Sequence, residues 1–310
     1  MTLAAQLAAQ FADAYRRSDA TPERLAFEIA RMAYPALDVE EQLKQLDVLA
    51  EFVQRQLPAK GTEAAEGTEG SEGPGELSPA DFMRVITHDL DFHGNREEYY
   101  DPRNSLLADV LERRMGLPIM LCLACIAIGR RLGVRIEGLG FPSHFLAVFR
   151  SPAGDTILDP FLGITLEPTE VERHLARLLG QPVNLAPEFW RALTAQEIAL
   201  RILRNLRNAY LTAKDLAMVE RVLDYLIAAI PHEPQYWRER GLLHYRQQHW
   251  VEAHYDLRGY LQRVGLFASL APSGTPGESE PPAAPPAANQ GDRRVLEIYR
   301  ETSSMLARVN

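Results

Sequence analysis

Cysteine is nearly absent from this chain: among 310 residues only Cys122 and Cys125 carry a thiol. Two cysteines three positions apart in an apolar run supply neither a disulfide framework nor the four ligands of a structural zinc site. They suit a reducing compartment, and the cytoplasm is the expected location. Also missing is any uninterrupted apolar run of the roughly 18 residues a membrane span needs, so no membrane partner is expected. The opening MTLAAQLAAQFADAYRR has Gln, Asp and Arg where a secretory leader needs an unbroken apolar stretch, and no export signal is read there. No Gly-rich phosphate loop occurs. A basic stripe is lacking too. The formal charge is −9, and much of it sits in two low-complexity stretches, where Glu63, Glu66, Glu69, Glu72, Glu76, Glu278 and Glu280 face only Lys60. The remaining chain is mildly acidic with nothing built to neutralise phosphates, which argues against nucleic acid as a partner.

What is present is ordinary globular composition, 46% apolar and 24% charged, over a length sufficient for two cores. Residues 1–58 carry helical spacing in Leu25, Ile29, Met32 and Ala33, then in Leu43, Leu46, Leu49, Phe52 and Val53, with Pro35 between. Residues 59–77 are rich in Gly and Glu and cannot bury enough apolar area to offset chain entropy, so they read as a linker or insertion. From 78 to 190 the pattern mixes helix and strand. A cap at Asn104 or Ser105 opens a helix to Arg114; Gly116 and Pro118 separate it from IMLCLACIAIGRRL, apolar almost all round and therefore buried, with Gly133 as its C-cap. Three strand-like runs follow, VRIEGLGF, HFLAVFR and TILDP, broken by Pro142 and SPAGD. A buried helix followed by antiparallel strands is an α+β signature, here in a mostly helical chain.

Residues 191–264 repeat. Leu203 aligns with Trp237, Arg207 with Gly241, Tyr210 with His244, Val219 with Ala253 and Leu223 with Leu257 at a constant offset of about 34, the tetratricopeptide period. Trp237, Gly241 and Ala253 occupy the large and small positions at which paired helices pack, and Pro231 ends the first copy. Two copies fall short of the three that usually stand alone, so the array is expected to lean on a neighbour. Residues 265–291 are Pro-rich and read as disordered, while 292–310 form an amphipathic helix that can dock as a cap.

Three landmarks carry chemistry: the helix beginning near Pro118, His144 at the start of a strand, and Asp159 at the end of the next. A thiol at a helix N-terminus, a histidine to take its proton and a carboxylate to orient the imidazole is the order a cysteine triad needs. The runs NREEYYDPRNSLLADVLERRMGLPIM, RRLGVRIEGLGFPSHFLAVF and ILDPFLG resemble the SirB family, bacterial proteins with a transglutaminase-like domain and C-terminal tetratricopeptide repeats. The resemblance implies a transglutaminase-like (papain-like cysteine protease) core followed by an α-helical tetratricopeptide-type array, and it defines little about biochemical role. In the wider superfamily the nucleophile opens the central helix, and counting back from Arg130 of an RxLG-like motif that position falls on Pro118. Pro118, Ile119 and Met120 cannot serve. Cys122 lies one turn further in, about 6 Å along the axis at about 1.5 Å per residue.

Two functions compete. The first is a non-catalytic or degenerate transglutaminase-like protein that binds another protein or peptide through its cleft and repeats, with Tyr100, Asn104 and Trp237 as candidate contacts. The second is a thiol-dependent hydrolase or acyltransferase with Cys122, His144 and Asp159 as candidate catalytic residues, which requires the Cys122 sulfur within about 4 Å of an imidazole nitrogen. Against it, both cysteines read as small buried hydrophobes. His144 also reads as a structural partner of Asp159, and Asp159 as a cap of the DPFLG turn. No cofactor and no metal site are expected, because His88, His93, His174, His232, His244, His249 and His254 show no ligand spacing. Composition says nothing of oligomeric state.

Overall fold

The structure, a computed structural model, describes residues 2–57, 77–142, 144–267 and 289–309. Most of the two low-complexity stretches lie outside the described residues. The apolar spacing before and after Pro35 produces α1 (Leu3–Arg16), α2 (Pro22–Ala30) and α3 (Val39–Gln56). Asp38 caps α3 by accepting from the Glu40 and Glu41 amides. After Ser78, α4 (Pro79–Arg84) runs into a π-helical turn, Val85–Asp89. A two-residue strand β1 (His93–Gly94) pairs in parallel with β2 (Met115–Gly116), and between them lie the 3₁₀ turn Pro102–Ser105 and α5 (Leu107–Arg113). Arg114 then takes a left-handed φ of 61° that stops α5.

Pro118 opens α6 (Pro118–Arg131), and of its fourteen residues only Ile126, Arg130 and Arg131 escape full burial. The helix packs on a four-stranded antiparallel meander: β3 (Arg135–Leu139), β4 (Leu146–Ser151), β5 (Gly154–Asp159) and β6 (Ile164–Leu166), in that spatial order. The first three strands match the expected runs; β6 is short and half-exposed and had no pattern to announce it. Register pairs Phe149 with Ile136 and Thr156, and Ala147 with Gly138 and Leu158. β4 is covered on both faces. On one, Leu146 and Val148 join Leu139, Phe141 and Ile157 against Val171 and Leu175 of α7 (Val171–Leu179). On the other, Phe149 meets Phe82 edge-on at 6.1 Å.

The chain divides into two compact units, Asp13–Ala213 and a second formed by Met1–Ala12 with Lys214–Asn310. By packing, the division on this side falls at Ala213. The first repeat helix, α8 (Ala195–Thr212), packs on α2 and on the Pro102–Ser105 turn. The second unit holds α9 (Leu216–Ala229), α10 (Pro234–Arg246), α11 (Trp250–Arg263) and α12 (Gln290–Val309). The helices α9 and α11 begin 34 residues apart, as the repeat requires. Gly241 lets α11 approach: a Cβ there would stand 2.7 Å from Leu257. Trp237 is likewise seated over Gly259 and donates its indole N–H to the Pro231 carbonyl at 2.9 Å. The tail caps the array as α12, with Tyr299 stacked on His254 at 4.4 Å and Asp292 accepting from Tyr260.

Two buried charge clusters stitch these helices. In the first unit Glu23 of α2 has no exposed surface and meets Arg130 and Arg131 at the end of α6, while Arg131 also bonds Asp47 of α3 at 2.5 Å. Arg130 is half-exposed and can return to water, so Glu23→Ala is expected to cost about 1–3 kcal/mol and not the full penalty of a stranded buried pair. A lower urea midpoint at unchanged slope would show it. In the second unit Asp256 accepts from Arg240 at 2.7 Å and from His244 at 3.0 Å, and His244 reaches Glu220 at 3.2 Å. Burial opposes charge on His244, but hydrogen bonds to Asp256 and Glu220 push its pKa up from 6.5 to about 9. The raised value makes the stabilisation complete below pH 6.5 and lost as pH rises through about 9. The urea midpoint should therefore fall across that window, with the slope reduced in His244→Gln.

Candidate functional site

The end of β5 delivers Asp159 into the interior with no exposed surface. A bare carboxylate cannot stay there ionised, and three groups answer it. The Leu162 amide donates to Oδ1 at 3.2 Å, closing the DPFLG turn. His144, two residues before β4, brings Nε2 to Oδ2 at 3.3 Å, and His174 of α7 brings its Nε2 to the same oxygen at 3.0 Å. Burial would raise the Asp159 pKa, but the hydrogen bonds from both imidazoles and from Leu162, together with the His144 charge, hold it below the usual value. The carboxylate is therefore ionised and accepts from both rings.

Two of these partners follow the sequence reading and one departs from it. His144 and Asp159 meet as expected. His174 was given no role, yet it lies on the face of α7 that also buries Val171 and Leu175. That position, three after Val171 and one before Leu175, was the signal: a histidine on an apolar helical face must find a polar partner in the core. Arg201 of α8 was also missed. Its guanidinium donates to the backbone carbonyls of Phe141 at 2.8 Å and His144 at 2.5 Å, fixing the turn from which the imidazole projects.

Cys122 is fully buried in the second turn of α6, and its sulfur approaches the Phe145 carbonyl at 3.7 Å, one residue past His144. Desolvation, reinforced by Cys125 and Asp159, drives its pKa well above that of a free thiol; Cys125 is raised to about 12 by burial. Among the described residues no hydrogen bond joins Cys122 to an imidazole. The N-terminal turn of α6 presents Pro118, Ile119 and Met120, all buried.

Of the candidate contact residues, Tyr100 is 60% exposed and packs edge-on against Tyr99, which in turn meets Phe161 just beyond Asp159 at 6.3 Å. Asn104 is wholly buried: its amide donates to the Glu98 and Tyr99 carbonyls and its Oδ1 accepts from Asn95 at 3.1 Å, so it builds the loop that displays the tyrosines. Trp237 is 8% exposed, with the Arg263 guanidinium 4.0 Å from its ring centroid. Its surface is spent on helix packing.

The depressed Asp159 pKa has a consequence for acid stability. Its contribution is present above the unfolded value of 3.8 and disappears as pH falls through the lower folded value. Asp159→Asn should lose about 1–3 kcal/mol at neutral pH, and the gap to wild type should close below pH 3.8 in urea titrations.

Residues 40–204 match the transglutaminase-like superfamily and residues 206–276 a tetratricopeptide repeat family. A UPF0162 protein of Xylella fastidiosa strain 9a5c is 35% identical over 76% of this chain and 80% of its own length. Protein SirB1 of Salmonella typhimurium is 22% identical over 71% and 77% respectively, in keeping with the SirB-like resemblance. Human F-box only protein 21 is 28% identical over 69% of this chain, which is 36% of that longer protein. Among solved structures, menin, whose crystal structure is described as revealing the binding site for Mixed Lineage Leukemia protein, aligns with 84% of this chain and 69% of its own at 12% identity, and its TM-score of 0.32 carries no argument. With more than half of its length matched and a 35% identical relative covered over 80% of its length, the chain belongs to the transglutaminase-like superfamily, with a tetratricopeptide repeat following.

Proposed function

We propose that this chain is a cytoplasmic protein-binding or regulatory module, in which a transglutaminase-like domain without an operative thiol and a helical repeat present surfaces to another protein. The observation that carries the reading is the state of Cys122: fully buried, engaged with the Phe145 carbonyl, and pushed well above the thiol range where a nucleophile would need to be lowered. A tetratricopeptide repeat is in keeping with a protein or peptide partner. On its α11 helix Val251 and Tyr255 are 62% and 64% exposed one turn apart, and on the first unit Tyr100 stands clear beside the Asp159 turn. Among the described residues no helix is long and apolar enough to cross a membrane.

The thiol hydrolase or acyltransferase reading retains one supporting observation, the His144–Asp159 pair at 3.3 Å with Cys122 beneath the neighbouring residue. Labelling with iodoacetamide separates the two. A binding module should leave Cys122 unreacted in the native protein and accessible only on unfolding; rapid native labelling that disappears in His144→Ala would establish the thiol enzyme instead. Affinity capture with the full chain supplies the positive test. Tyr100→Glu, or Val251→Glu with Tyr255→Glu, should weaken retention of the captured partner by about 30-fold or more, the scale of an interface hot spot of about 2 kcal/mol. Retention unchanged in both variants would remove these surfaces from the proposal.

A further inference from the structure

His144 and His174 direct their Nε2 atoms at one and the same carboxylate oxygen, when a single partner would satisfy each requirement of a structural pair. The three donor atoms lie within 4.8 Å of one another. They come from three separate elements: the turn before β4, the end of β5 and the buried face of α7. We propose that His144, Asp159 and His174 form a binding site for one divalent transition-metal ion of the zinc class. This goes beyond the protein-binding reading and does not depend on it.

The donor set selects the class of ion. Two imidazoles and one carboxylate suit zinc, cobalt, nickel or iron, whereas calcium and magnesium call for more oxygen donors than one carboxylate supplies. The two carboxylate–imidazole spacings fit as well. Ligands about 2.0–2.1 Å from a common tetrahedral ion stand about 3.3 Å from each other. The observed separations from Asp159 Oδ2 are 3.3 Å to His144 and 3.0 Å to His174. The carboxylate is already oriented, because Leu162 holds Oδ1 and leaves Oδ2 toward the rings. His144 is likewise positioned by Arg201, which grips its carbonyl. His144 retains 10% side-chain exposure, so the remaining coordination positions can be filled by water. Among the described residues no lysine or arginine pairs with Asp159. In the metal-free arrangement each ring donates its Nε2 proton to Asp159. When the ion binds, those protons move to Nδ1 or to solvent and the Nε2 lone pairs turn to the metal.

The test uses the full chain, stripped with a chelator and titrated with Zn²⁺ against a chromophoric competitor. One ion should bind per chain. His174→Ala and Asp159→Asn should each weaken binding by more than about 100-fold, beyond the about 10–100-fold lost with an outer-shell partner. Cys122→Ser and Cys125→Ser should bind as the wild type does, and so should His244→Gln, which alters the other buried histidine-carboxylate cluster. Absence of stoichiometric binding, binding that survives both site substitutions, or binding lost with the cysteines or with His244 would overturn the proposal. Should the site variants fail to fold, the wild type still decides: the Co²⁺ form should show paramagnetically shifted ring N–H signals from two histidines, and signals from one or none would overturn it.

Discussion

An ionised carboxylate without exposed surface is the constraint around which the first unit is arranged. Asp159 sits where β5 ends, and leaving it unpaired would cost several kcal/mol, a sizeable share of the stability of a typical domain. Its three donors reach it from three directions, so the turn after β5, the approach to β4 and the placement of α7 are fixed together. The apolar contacts of Val171 and Leu175 on the sheet then do for α7 what the His174 hydrogen bond does at one point: they hold the same face inward. Arg201 extends the arrangement by one layer, tying the loop that carries His144 to α8 through backbone oxygens.

Much of this was legible in the sequence, for identifiable reasons. The α6 helix announced itself because a segment apolar on all sides has nowhere to go but the interior, and the strands β3 to β5 because their apolar runs are punctuated by Pro142 and SPAGD. The repeat was readable because its packing depends on residue size at fixed intervals, as Gly241 against Leu257 and Trp237 against Gly259 show. What escaped were partnerships set by long-range geometry. His174 lies fifteen residues beyond Asp159 in an unremarkable amphipathic helix, and nothing local says which carboxylate it will find. Asn104 and Trp237 look from their residue types like ligand contacts, but Asn104 has spent its amide on the Glu98 and Tyr99 carbonyls and the Asn95 side chain, and Trp237 its indole N–H on the Pro231 carbonyl. The strand β6, three residues long and largely exposed, lacks the alternation that would have revealed it.

The position of Cys122 shows how a small displacement along a helix decides chemistry. It stands near the residues a thiol enzyme would use, close enough to Asp159 for that charge to raise its pKa further. The first turn of α6 would have offered a thiol the helix N-terminal dipole; the second turn offers an apolar cage and a carbonyl acceptor. Sulfur in that setting is a core side chain.

The second unit contains a useful contrast. Asp256 is as deeply buried as Asp159 and also bonds a histidine, but Arg240 supplies a charge that cannot be titrated away, and Asp224 and Glu220 complete a network spanning α9, α10 and α11. That is how a buried carboxylate is neutralised when only structure is required. Among the described residues no guanidinium pairs with Asp159: Arg201 is occupied with the carbonyls of Phe141 and His144, and the carboxylate is left to the Leu162 amide and two imidazoles, weaker and exchangeable partners. A site that needed only to fold would be served better by the arrangement at Asp256. The first unit instead sets its buried carboxylate against two imidazoles with no guanidinium paired to it among the described residues, and that difference between two buried aspartates of one chain is the physical reason to look for function at Asp159.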